Sequence, residues 1–316
     1  MSDKSYSASV VMVLCAGVLW SFMGLFIRLL GDVDTWSILL YRSLGTLPVL
    51  AGFVWWRSGG QLLSRIRAVG WPGIVGGLGL VVAFAGAIYA IQATTIANAV
   101  FLFAASPLLA ALLGWVILRE EVRLATWGAI LVAAVGMLVM VREGLAAGAL
   151  LGNLAALASA LGFAAFSVAL RFGKSGDMIP AVILGGIFAA VTGFIVLVAQ
   201  GTPLGLAPRD LMLTLAMGAV ILGGGMTLYT LGSRKVPAAE MTLLSMLEVL
   251  LAPVWVWLLF NETASTGTFI GGGIVLVAIL FNAFSGARRK PSLPGVGPVV
   301  ALPDGNEGRY TDRYDI

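Results

Sequence analysis

The chain of 316 residues contains no histidine, a single cysteine and few charges: Asp, Glu, Lys and Arg together make up 11%. Without histidine, the commonest metal ligand and the commonest general base at neutral pH are both missing. A lone Cys15 inside an apolar run excludes an internal disulfide. Eleven per cent charge cannot cover a soluble surface when 59% of residues are hydrophobic and the mean hydropathy is +1.01. The chain therefore belongs in a bilayer. Its net charge of +4 is modest and its cations sit at the ends of apolar runs, not in a stripe, so no nucleic-acid partner is expected.

What is abundant is apolar length. A hydrocarbon core about 30 Å thick takes about 20 apolar residues in a helix. Ten such runs predict spans over 9–30, 35–56, 72–92, 95–118, 123–141, 149–171, 178–200, 209–232, 238–260 and 266–285. The first run ends in "FIRLL" with no small-residue cleavage pattern, so it reads as a retained transmembrane helix. With the N terminus inside, thirteen Lys and Arg lie on inner segments, from Lys4 to Arg288, Arg289 and Lys290. Only Arg28, Arg142 and Arg209 lie on outer ones, a bias that places both termini in the cytoplasm. After Ser285, a stretch rich in Pro, Gly and charge predicts a flexible cytoplasmic tail over 286–316, its basic start suited to anionic headgroups.

The sequence also repeats. Residues 97–121, "ANAVFLFAASPLLAALLGWVILREE", align without a gap on 238–262, "AAEMTLLSMLEVLLAPVWVWLLFNE", so that Glu121 meets Glu262. Upstream, Arg28 of "WSFMGLFIRLL" meets Arg171 of "FAAFSVALRFG". Two units of five spans follow, over 9–141 and 149–285. Five is odd, so the units cross the membrane in opposite senses, the plan of many secondary transporters.

Three features, "ILREEV" at 117–122, its counterpart "LEVLLAPVWVWLLFNE" at 247–262 and the arginine of "LLYRSLGTLPVL" at 39–50, set in two five-span units, resemble the EamA branch of the drug/metabolite transporter superfamily. Within that branch the chain is most similar to the YddG-type exporters of aromatic and other neutral amino acids. The resemblance implies an all-α membrane protein of ten helices in two inverted repeats around a central cavity, with spans five and ten as outer supports. It also implies a bacterial inner-membrane location, an amino-acid substrate and the lipid bilayer as surroundings. No cofactor or metal is expected, and a monomer is taken as the working unit.

Some glycine motifs mislead. "FGKSGD" at 172–177 ends like a phosphate loop, but Val168 stands where the first glycine is required, and a membrane span precedes it. The runs Gly223–Gly225 and Gly271–Gly273 read as places of close helix approach, as do the spacings Gly267/Gly271 and Gly73/Gly77. Beside Tyr229, the first run has a second reading as the flexible wall of a cavity. Pro107 and Pro253 predict kinks in the fourth and ninth spans.

The chemistry-bearing residues are the polar intruders. In the ninth span Met241, Ser245, Glu248, Ala252 and Trp255 share one stripe, while Leu243, Leu250, Val254 and Trp257 face elsewhere. Val100, Ala104, Pro107, Ala111 and Gly114 form the matching stripe of the fourth span. Glu248 lies roughly 15 Å from the inner end of its span, and Arg42 about 10 Å from the outer end of its own. A lone charge at a helix centre opposes insertion by about 2.5–3.5 kcal/mol on insertion scales, so the two either pair or face a wet cavity. Trp20, Phe163, Tyr89 and Tyr229 could supply aromatic walls for an apolar side chain. Asn98, and Gln92 at the end of the preceding span, could bind an amino or carboxylate group or cap the turn between those spans.

Together these residues predict an exporter of neutral, aromatic or apolar amino acids working by alternating access. A multidrug or nucleotide-sugar carrier shares the plan. An integral-membrane enzyme lacks support, since there is no HExxH, no paired-aspartate motif and no two acids at helical spacing within a span. A scaffold without transport is disfavoured by the buried Arg and Glu.

Overall fold

The computed structural model describes the backbone of residues 3–146, 148–173, 177–232, 236 and 238–287; some side chains inside these helices, Met241 and Ser245 among them, lie outside the described set. The expected tail beyond 287 and most of the phosphate-loop look-alike fall outside as well. Among the described residues every regular element is helical, as hydrocarbon requires of a backbone that must satisfy its own hydrogen bonds. Among the described residues nine helices are long and apolar enough to cross a membrane, and Leu247–Phe260 counts as a shorter tenth.

In chain order, α1 (Asp3–Ser21) and α2 (Met23–Leu29) form the first span and α3 (Thr35–Arg57) the second. The short α4 (Leu62–Ala68) leads to α5 (Gly70–Ala93), the third. The fourth is split into α6 (Ile96–Ala104) and α7 (Ser106–Leu118). Then come α8 (Leu124–Ala146), α9 (Leu150–Phe172) and α10 (Ile179–Gln200). The eighth span has three parts: α11 (Pro208–Ala216), a π-helical segment (Met217–Gly224) and α12 (Gly225–Gly232). α13 (Ala238–Phe260) and α14 (Thr266–Ala287) complete the chain.

Local chemistry sets several of these ends. The Asp34 carboxylate accepts from the Trp36 and Ser37 amides at 2.8 and 3.3 Å, capping α3. Pro107, which has no amide proton to give, falls in the first turn of α7, where none is needed, and the break sits at Ala105 just before it. Pro253 behaves differently and lies inside the continuous α13.

The two repeats are visible in the helix ends. α7 and α13 each finish on a left-handed residue, Arg119 (φ 56°) and Asn261 (φ 53°). The next amides, of Glu120 and Glu262, then close back on Gly114 O and Val256 O, both at 3.3 Å. This corrects the ungapped alignment: Glu262 corresponds to Glu120, not Glu121. The sequence register slipped by one because Ala and Leu matches are cheap in so apolar a chain.

Repeat mates run antiparallel where they touch. A Cβ at Gly186 of α10 would meet Leu47 of α3, and one at Gly193 would meet Leu40. Likewise Arg123 and Thr126 of α8 reach Asn282 of α14, while Gly136 faces Gly271. α5 and α9 lie antiparallel and backbone to backbone along their length: a Cβ on Gly79 would lie 2.8 Å from Gly162 O, one on Gly162 2.6 Å from Gly79 O, and one on Gly86 2.8 Å from Ala155 O. Such contacts replace the hydrophobic drive that lipid removes. The packing expected of Gly77, Gly267 and Gly271 is seen, against Phe188, Glu143 and Gly136 respectively, whereas Gly73 meets only Val69.

Candidate functional site

The eighth span is the unusual wall. Its π-helical segment, Met217–Gly224, bonds one residue further along the chain than an α-helix does and so widens the backbone ring. Gly218 meets α3 so closely that a Cβ there would lie 1.9 Å from Arg42 O. Gly45 of α3 approaches Leu215 O in the same way, at 2.3 Å. The Thr46 hydroxyl stands 3.0 Å from Gly218 O and 2.9 Å from Arg42 O, sharing its proton between the two backbones.

That crossing fixes Arg42, which is 3% exposed. Its guanidinium carbon lies 4.6 Å from the centre of the Phe84 ring, a cation–π contact. Its Nε and Nη2 are buried and have no hydrogen-bond partner among the described residues. Buried charges are ordinarily paired. No ion pair joins Arg42 to Glu248, so the meeting that the sequence allowed does not occur among the described residues.

Seven residues beyond Gly218, about 10 Å along the span, Gly225 seats the Trp20 indole, and a Cβ at that glycine would lie 2.3 Å from Nε1. That nitrogen too is buried without a partner among the described residues. The indole and the Tyr229 ring have centroids 5.3 Å apart. Trp20 and Phe84 each pack against both large hydrophobic clusters, at the seam between them.

Half-buried Glu248 lies on the turn of α13 that faces Gly17 of α1, where a Cβ would stand 3.5 Å from Leu244 O and 3.9 Å from Glu248 N. Trp20 follows Gly17 by almost one turn, so the acid and the indole flank the same stretch of α1. The inward stripe of α13 holds where it is described: Ala252 is buried, and Trp255 stacks on Phe22 at 4.9 Å and donates to Ser21 Oγ at 2.8 Å. Leu250, Val254 and Trp257 are exposed. Ser245 lies outside the described side chains. On the fourth span the matching stripe is mixed, with Ala104 and Gly114 buried but Pro107 exposed.

Phe163 sits in an aromatic run, 5.7 Å from Phe103 edge-on and 5.8 Å from Phe166. Two other expected residues stand apart from this group. Tyr89 is 40% exposed, on the same stripe of α5 as exposed Leu78 and Val82, and so lies in surroundings unlike those of Tyr229. Asn98 is buried in a polar knot at the end of the fourth span. Its Nδ2 donates to Thr94 Oγ1 at 3.1 Å and to Asn153 Oδ1, and its Oδ1 accepts from Thr268 at 3.4 Å. Thr95 supplies the cap, accepting from the Asn98 amide at 3.3 Å. With donors and acceptor engaged, Asn98 ties helices together. Gln92 does likewise, accepting from Thr35 at 2.5 Å and donating to Val33 O at 2.8 Å.

Phe84 and Thr46 were not foreseen. Thr46 follows Arg42 by one helical turn and could have been suspected from that spacing; nothing in the sequence marks Phe84 among fifteen phenylalanines.

The sequence matches the EamA-like transporter family over residues 7–142 and again over 149–284. The chain therefore belongs to the EamA-like transporter family, and the two matched segments are its two repeats. No curated protein matches it. A solved structure titled "Crystal structure of protein" is 22% identical, covers 90% of this chain and 99% of its own, and superposes with a TM-score of 0.63, a likeness of fold.

Proposed function

We propose that this transporter exports neutral amino acids with aromatic or apolar side chains across the bacterial inner membrane, by alternating access between two inverted halves, as YddG-type exporters do. The observation that carries this reading is a pair of opposite charges inside the apolar bundle, Arg42 and Glu248, that leave each other free. A buried cation without a counterion among the described residues favours an anionic group of the substrate, and the acid beside α1 favours a cationic one. A zwitterion satisfies both at no net charge. The Trp20–Tyr229 pair, its rings in contact with each other, supports an apolar side chain packed against it. The excess of Lys and Arg on one set of loops supports cytoplasmic termini, so that outward movement is export.

The deciding experiment uses purified protein in liposomes. Phe, Met or Thr should cross faster than in protein-free liposomes. Background rates for an amino-acid panel, with cationic dyes carried instead, would replace this reading with a multidrug one.

A further inference from the structure

Two ion pairs occupy equivalent places in the two repeats. Arg28, in the last turn of α2, sets Nε 2.9 Å from Glu262, just past the end of α13. Arg171, in the last turn of α9, sets Nη1 2.6 Å from Glu120, just past the end of α7. The arginines are repeat mates, and the glutamates follow the matching left-handed residues Arg119 and Asn261. The same reversal of chain direction, closed by the same backbone bond, aims each carboxylate back at its bundle. Ion pairs on a protein surface arise readily by accident and contribute little. The same pair built twice, from mated residues on mated spans, is a different matter.

We propose that these four residues position the transport cycle as alternating latches. The Arg28–Glu262 latch holds the first span against the ninth at one face of the membrane, and the Arg171–Glu120 latch holds the sixth against the fourth at the other. The inference rests on the alternating-access reading above. The spans that each latch joins are the relevant ones: α1 and α13 flank Trp20 and Glu248, and α9 and α6 carry the edge-on Phe163–Phe103 contact. Parting either pair of spans at its latched end exposes the interior from that end alone. Both latches are closed here, so access at either end requires one of them to break.

The latches are unequal. Arg28 and Glu262 are 26% and 18% exposed, and each has a second bond: Arg28 Nη2 donates to Thr94 O, and Glu262 accepts from the Ile96 amide, both at 2.7 Å. This latch thus gathers the first, third, fourth and ninth spans. Arg171 and Glu120 are 42% and 40% exposed, with one added bond, to Ala110 O at 2.8 Å. Solvent and salt weaken the second latch more. On the orientation argued from the charged loops, the weaker latch faces the cytoplasm, so the resting carrier opens inward first and loads where an exporter must.

Double electron–electron resonance on the full-length protein in lipid nanodiscs tests this, in a Cys15→Ser background. One spin-label pair at Asp32 and Thr263 reports one end, and a pair at Glu121 and Gly173 the other. Glu262→Gln should lengthen the first distance and leave the second unchanged; Glu120→Gln should do the reverse, and rising salt should lengthen the second before the first. A variant that leaves its own end unchanged, or lengthens both ends alike, overturns the proposal. Should Glu262→Gln fail to fold, Arg28→Gln breaks the same latch from its other side and should lengthen the same first distance. These distances need no substrate. Latches that respond as stated in a protein that moves no amino acid would sink only the substrate reading, and static latches in a working amino-acid carrier would sink only the latches.

Discussion

Gly218 and Arg42 meet at a separation that admits no side chain: a Cβ on the glycine would stand 1.9 Å from the arginine's carbonyl oxygen. Gly218→Ala must push the π-helical wall away from α3, at a cost typical of overpacking, about 1–3 kcal/mol. A lower midpoint in detergent thermal unfolding is expected. Gly224→Ala is the control, because a Cβ there first meets an atom at 3.8 Å, and it should unfold like the wild type. Equal midpoints for the two variants would show that the wall gives way freely.

Arg42 and Glu248 form no ion pair, so neutralising either one orphans no partner. Arg42→Gln and Glu248→Gln should each fold and insert normally, and their stability effects should add to within about 0.3–0.5 kcal/mol in the double variant. Transport per folded molecule should fall at least tenfold, about 1.4 kcal/mol, in either single variant, or its substrate preference should change. A coupling energy above about 1 kcal/mol, or poor folding with normal transport, would restore the purely structural pair.

Asn98 should behave in the opposite way. Asn98→Ala strips partners from buried Asn153 and Thr268, which costs about 1–3 kcal/mol when donors or acceptors are left unsatisfied. Folded yield should drop, while the KM of the surviving carrier stays unchanged. A raised KM at normal yield would return Asn98 to the binding site.

Topology is open to the same kind of check. Single cysteines at residues 65 and 290 should react with a membrane-impermeant maleimide only after the membrane is opened, and one at 142 without opening it. Reaction of residue 65 in intact cells would reverse the orientation and, with it, the direction of transport.

The spans could be read from sequence because a bilayer imposes a length on every apolar run, and the predicted ends fall within a few residues of the helices. The break at Ala105 was marked by Pro107, but the break at Phe22 carries no such residue. The glycines of the eighth span announced closeness without announcing a π-helix, since any small residue permits either. Arg42, Glu248 and Trp20 were conspicuous as polar or bulky groups in an apolar field. For Asn98 and Tyr89 the sequence names a polar group, but only the neighbouring helices decide whether its hydrogen bonds are already taken or which way its face of the helix turns.

The contact of Gly79 with Gly162 carries a mechanical consequence. Where two backbones touch with no side chain between them, no rotamer change can absorb sliding, and packed interiors resist compression. The close approach recurs along the pair, at Gly76 on Phe166, Gly86 on Ala155 and Gly152 on Ala93, so pivoting is resisted as well between α5 and α9, which belong to different repeats. The pair is thus a spine shared by both halves, and the displacements that open either end fall to the spans packed around it.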